Sequence, residues 1–164
     1  LADLSSSIYN AKVIMWGGLG SENTDRYWKP LHEMQKRIPG AQLIKSGTGY
    51  AHWDSVAAHI NETNQRKVLI GHSNGVYAIT KIAEAIGNRT CRIIALDKTL
   101  KGCPRIGANV DRVCEIWFGL SRLKFTADFT GDYKFYDFKK ESHVGGLSNP
   151  EVQDIVVNLA NGWK

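Results

Sequence analysis

Three cysteines, four prolines and no C-x-x-C spacing occur in the 164 residues of this chain. Cys91, Cys103 and Cys114 form an odd, unpatterned set. That offers neither metal-ligand spacing nor a disulfide framework, and reads as buried free thiols in a reducing compartment, with one disulfide plus a spare thiol as the other arrangement. No apolar run approaches the ~20 residues of a membrane span. The first ten residues lack the basic segment and long apolar stretch of a signal peptide, so the expected location is cytoplasmic, or secreted where a leader has been removed. Repeats, low-complexity tracts and linkers are missing as well, which predicts one domain over residues 1–164 with residues 1–10 as an N-terminal arm. Long charge runs are also lacking. The 21 lysines and arginines behind the net charge of +5 are scattered, as pairs such as Arg66-Lys67 and Lys139-Lys140. Without zinc-finger spacing or an aromatic RNP-like segment, this describes a solvated basic surface rather than a nucleic-acid partner.

What the chain does have is an alternation of short aliphatic runs and amphipathic stretches. Strands are predicted at Ala11 to Trp16, Ala41 to Lys45, around Val68 to Ile70, Cys91 to Leu96, Val113 to Phe118 and Tyr133 to Phe138. The last alternates aromatic and charged residues, as a half-exposed edge strand does. Between them, Trp28, Leu31, Met34 and Ile38 make one helical face, closed by Pro39-Gly40. Trp53, Val56, Ala57 and Ile60 make a second, and Val76, Ile79, Ile82, Ala83 and Ile86 a third, stopped at Gly87. Asn149-Pro150-Glu151 opens a last helix with a cap residue and proline at the first helical position, and Gly162 is placed just beyond its end. Repeated β-α units predict an α/β fold, a three-layer α/β/α sandwich around a six-stranded, mainly parallel sheet. Active sites in such sheets gather at the carboxyl ends of the strands.

The stretch Gly71-His72-Ser73-Asn74-Gly75 lies between the third strand and the third helix. Strand, G-x-S-x-G, helix is the context of a nucleophile elbow, a turn so tight that only glycine fits two residues either side of the serine. Ser73 is therefore the candidate nucleophile. A serine hydroxyl needs a base. His32 and His59 fall within helices, His52 just before one, and His72 is next to the serine, where its side chain is expected to point elsewhere. His143, in Glu-Ser-His-Val-Gly-Gly between the last strand and the last helix, is the candidate base. Gly17-Gly18-Leu19-Gly20 is a weak phosphate-binding signal, with neither G-x-G-x-x-G nor a P-loop lysine. Gly47-Thr48-Gly49 reads as a turn.

The segments VIMWGGLGS, VLIGHSNGVYAITKIA, IIALDKTL and SHVGGLSNPEVQDIV resemble a minimal, lidless α/β-hydrolase, similar in size to small bacterial lipases and esterases. The resemblance spans about Ala11 to Gly162. It implies strand order 2-1-3-4-5-6 and the chain order Ser…Asp…His for the catalytic residues. The acid departs from the commonest pattern, since no carboxylate follows Phe118 until Asp128. Asp97, at the end of the fourth strand, fits a second pattern resembling pancreatic-type lipases, which leaves Asp128 as the alternative acid and Asp132 or a missing acid behind it. Asn74 N–H and Gly18 N–H, with Leu19 as the neighbouring option, are the implied oxyanion donors. Trp16 stands where family members often carry histidine. The resemblance thus implies a serine hydrolase cleaving carboxylic ester or thioester bonds of small-molecule or acyl substrates through an acyl-enzyme, with no metal and no cofactor. Trp117, Phe118, Leu120 and Leu123 are candidates for an apolar wall. A non-catalytic binding module on the same fold is the alternative reading, and oligomeric state is left open.

Overall fold

A computed structural model describes residues 11–18, 25–44, 53–60, 66–87, 90–99, 105–121, 124 and 129–163. The N-terminal ten residues, Gly47 to Gly49 and Cys103 lie outside the described residues. In chain order the elements are β1 (Val13–Trp16), α1 (Asp25–Lys36), β2 (Gln42–Ile44), α2 (Trp53–Ile60), β3 (Lys67–His72), α3 (Asn74–Ala85), β4 (Cys91–Leu96), β5 (Val110–Trp117), β6 (Asp132–Asp137), a 3-10 turn (Gly145–Ser148) and α4 (Pro150–Gly162). The six strands form one sheet in the order β2-β1-β3-β4-β5-β6. Every pairing is parallel.

Period-2 alternation divides the strands between two cores. Val13, Met15, Val68, Ile70, Ile94, Leu96, Cys114 and Ile116 face one side, where Leu31, Met34 and Ile38 from the first helical segment meet Val152, Val156 and Leu159 from α4. Ile14, Trp16, Leu69, Ile93, Ala95 and Val113 face the other, under Val56 and Ala57 of α2 and Val76, Ile79, Ile82 and Ala83 of α3. The result is three layers, α/β/α. Strands buried on both faces need near-continuous apolar sequence, and in β3 all six residues are buried. β6 is half-exposed along its length, as an edge strand should be. On α1 the buried aromatic is Tyr27 rather than Trp28, which is only half-buried and stacks on His32 with ring centroids 5.6 Å apart.

Several element ends differ from those expected, and two of the differences have a visible cause. β5 begins at Val110, which pairs with Cys91, and Arg112 pairs with Arg92, while Asp111 between them is the extra residue at a register shift. The carboxylate of Asp111 there faces Arg92 and Arg66, each 3.7 Å away. α4 runs through Gly162 and is capped by Trp163, whose backbone carbonyl accepts a hydrogen bond from the Arg112 guanidinium. That cation at the carboxyl end of the helix makes a glycine stop unnecessary. Cys91 and Cys114 are buried free thiols. Among the described residues, no helix is long and apolar enough to cross a membrane.

Candidate active site

The carboxyl ends of β3 and β4 and the loop after β6 converge above the sheet. Ser73 follows β3 directly and has φ 59° and ψ −124°, a strained conformation that costs on the order of 1–3 kcal/mol and is tolerated where surrounding structure imposes it. The elbow glycines impose it. A Cβ on Gly71 would lie 2.7 Å from the backbone of Gly75, and one on Gly75 would strike the backbone oxygen of Trp16. Ser73 N–H continues the ladder by donating to Leu96 O at 3.0 Å, so the turn is anchored to β4 as it leaves β3.

Ser73 Oγ lies 2.9 Å from His143 Nε2, and His143 Nδ1 lies 2.6 Å from Asp97 Oδ2. Ser73 is 8% exposed and Asp97 fully buried, whereas the His143 side chain is 31% exposed. The constellation therefore reaches solvent through its histidine. Asp97, with φ 42°, projects its carboxylate into the loop after β5. Oδ1 accepts from Phe118 N–H and Ser121 N–H, both at 2.8 Å, and Oδ2 accepts from Leu120 N–H at 3.0 Å. Burial pushes the Asp97 carboxyl up. The hydrogen bonds from His143 and from the Ser121, Phe118 and Leu120 backbones outweigh it and hold the group down at about 2. An ionised carboxylate wrapped by donors is a permanent acceptor for His143 Nδ1–H, which leaves Nε2 bare towards Ser73. The segment 118–121, which carries no carboxylate of its own, supplies the backbone cradle for one that arrives from β4.

Asn74 opens α3, so its N–H is among the amides at a helix start that lack an intrahelical acceptor. Gly18 lies against the serine: a Cβ there would be 2.7 Å from Ser73 Cβ. Its N–H donates to Tyr27 Oη at 3.0 Å. Leu19 and Asp128 lie outside the described residues. Of the residues expected to form an apolar wall, Phe118 belongs to the core with Leu147, and Trp117, its neighbour in sequence, packs on the opposite side of the sheet. There the Trp117 ring meets Phe135 edge-on at 4.9 Å, with Lys139 Nζ 4.9 Å from its centroid. Leu120 is half-buried, and Leu123 lies outside the described residues.

Sequence reasoning passed over Tyr27 and His72. Tyr27 shares the helical face of Leu31, Met34 and Ile38 at spacings of four, seven and eleven, so its burial was readable. His72 is fully buried beneath the histidine loop. Its Nδ1 bonds Tyr27 Oη, its Nε2 donates to the His143 backbone carbonyl at 2.9 Å, and its ring stacks on His143 with centroids 4.7 Å apart. Burial and the neighbouring His143 lower its pKa to about 3, against small opposing effects of its hydrogen bond to the His143 backbone and of Asp97. His72 is therefore neutral at physiological pH.

No family model and no curated protein sequence matches the chain. Solved structures do. A YdeN-like hydrolase from Pectobacterium atrosepticum is similar with a TM-score of 0.59 and 13% identity, over 92% of this chain and 90% of that one. The thioesterase domain SrfTE, which cyclises the lipopeptide surfactin, gives 0.58 and 13% over 93% and 92%. Aspergillus fumigatus lipase B gives 0.61 and 10%, covering 99% of this chain but 55% of that longer one. At these identities the likeness is one of fold, and the fold is that of the α/β-hydrolases.

Proposed function

We propose that this chain is a serine hydrolase that cleaves carboxylic ester or thioester bonds by way of an acyl-enzyme. The observation that carries the reading is the unbroken contact from Ser73 Oγ to His143 Nε2 at 2.9 Å and from His143 Nδ1 to Asp97 at 2.6 Å. In this mechanism Ser73 Oγ attacks the substrate carbonyl as its proton passes to His143 Nε2. The resulting imidazolium is stabilised by Asp97, which stays ionised. His143 then protonates the leaving oxygen or sulfur. Water, deprotonated by the same nitrogen, attacks the acyl-serine and releases the acid. Asn74 N–H and the N–H of Leu19 in the loop after β1 hold the oxyanion, because Gly18 N–H, the first option there, already donates to Tyr27 Oη; each such donor is worth ~10²–10³ in rate. The lipase and the thioesterase domain among the similar folds favour an acyl substrate.

Intact-mass analysis after treatment with a fluorophosphonate tests the reading. The expected result is one adduct per chain, mapped to Ser73 and absent from Ser73→Ala. A folded protein that takes up no adduct would overturn it and leave a binding module on a hydrolase fold.

A further inference from the structure

Outside the three proposed catalytic side chains, one buried polar network joins the same loops. Its proton positions follow from its partners. His72 Nε2 faces a carbonyl oxygen, that of His143, and a carbonyl only accepts, so Nε2 carries the hydrogen. In a neutral imidazole Nδ1 is then bare and accepts from Tyr27 Oη–H. Tyr27 Oη in turn accepts from Gly18 N–H. The hydrogen bonds thus run one way, from Gly18 N–H to Tyr27 Oη–H to His72, and from His72 Nε2–H to the carbonyl of His143.

We propose that Tyr27 and His72 are positioning residues, whose hydrogen-bond chain holds the glycine loop after β1 and the histidine loop after β6 in fixed relation on either side of Ser73. The inference rests on the serine hydrolase reading and adds to it the parts that keep the site assembled. The ladder hydrogen bonds fix the strands, but Gly18 and His143 both lie beyond strand ends, where the ladder no longer sets their distance from the nucleophile. His72 is covalently next to Ser73, so both loops are referred to the nucleophile itself. An aliphatic and phenylalanyl pair of similar volume would fill the space and leave both loops unreferenced. Polar networks of this kind raise the definition of a site more than the stability of a fold. The His72 ring, neutral and stacked on His143, adds no repulsion when His143 takes the serine proton.

The test follows the rate of fluorophosphonate labelling of Ser73 against probe concentration in wild type, Tyr27→Phe, His72→Leu and His72→Gln, with melting temperatures measured in parallel. Tyr27→Phe is expected to slow labelling at saturating probe by ~10-fold or more, at unchanged half-saturating concentration. His72→Leu should be slowed at least as much. His72→Gln keeps an N–H for the His143 carbonyl and should recover part of the rate, which a role in stability alone does not predict. Tyr27→Phe labelled at the wild-type rate would overturn the proposal. Wild type left unlabelled would overturn the hydrolase reading instead, so the two failures are distinct. Should the variants not fold, histidine ring ¹⁵N spectra of the wild type decide. A neutral His72 protonated at Nε2 at pH 7 supports the chain of bonds, and an Nδ1–H or doubly protonated ring overturns it.

Discussion

At the scale of the residue, Asp97 shows how direction matters more than proximity. Its two oxygens have different main duties: Oδ1 takes backbone N–H groups of Phe118 and Ser121, and Oδ2 takes His143 Nδ1–H together with Leu120 N–H. In Asp97→Asn the amide oxygen keeps the Phe118 and Ser121 donors, which places the NH₂ against His143 and the Leu120 N–H. His143 must then present a bare Nδ1 and carry its hydrogen on Nε2, facing Ser73, where it can no longer serve as the proposed base. Turnover of an activated ester is expected to fall by ~10³–10⁴-fold, with a moderate loss of stability of about 1–3 kcal/mol from the mispaired cradle. Steady-state kinetics alongside thermal melting checks both. If Asp128→Asn is the change that abolishes the proposed turnover while Asp97→Asn does not, the acid is misassigned. Asp97 was readable from sequence because it ends an aliphatic strand. Its cradle was not, because the donors are backbone amides of Phe118, Leu120 and Ser121, whose side chains say nothing of it. Nor was the partnership of Tyr27 with His72, which needs contact across 45 positions.

At the scale of the element, the strand–elbow–helix unit was legible because β1 and β3 are apolar runs buried on both faces and α3 presents one apolar stripe, whereas the strand order came only from the resemblance. The register of polar residues within β5 was hidden, since Asp111 and Arg112 read as a loop until Arg92, Arg66 and Asp132 come alongside. The elbow is where sequence and geometry agree most closely, and it makes a sharp prediction. Gly75→Ala puts a methyl onto the Trp16 carbonyl, so β1 and α3 must part. Relief of such overpacking costs typically ~1–3 kcal/mol, and urea unfolding should report a loss of that size, with slower labelling of Ser73. A variant as stable as wild type would mean that the two elements are less closely apposed. At the other end, Asn149 Oδ1 accepts from Glu151 N–H at 2.9 Å to cap α4. Asn149→Ala should cost about 1 kcal/mol by the same measurement.

At the scale of the whole molecule, the buried titratable groups shape stability against pH, and each contributes with a definite sign. His72 has its pKa lowered from 6.5 to about 3 in the folded protein. Between those values the unfolded chain holds a proton that the folded one refuses, so stability falls as pH drops from 6.5, by about 1.4 kcal/mol per pH unit. Asp97, lowered from 3.8 to about 2, has its stabilising effect in full above 3.8 and loses it as pH falls towards 2, which steepens the acid limb. Lys67 sits fully buried at the start of β3, donating to the Ala11 carbonyl at 2.7 Å. Burial lowers its pKa from 10.5 to about 8, so stability rises with pH from 8 upwards as the folded state sheds the proton first. The thiols of Cys91 and Cys114 oppose this, because burial raises both from 9.0 to about 12, with smaller effects of Asp111 on Cys91 and of Lys134 and Glu115 on Cys114. Above pH 9 the unfolded chain ionises them and the folded chain does not, and two groups outweigh one. These contributions together predict a maximum near pH 9, a decline to a plateau between 8 and 6.5, and an acid limb below 6.5 that steepens below 3.8, where Asp97 joins His72. Urea unfolding under reducing conditions from pH 3 to 10 maps the curve. Cys91→Ala with Cys114→Ala should remove the fall above pH 9, and His72→Gln should flatten the stretch between 6.5 and 4. An acid limb unchanged in His72→Gln would place its origin in other groups and would mean that His72 is not buried as a neutral ring.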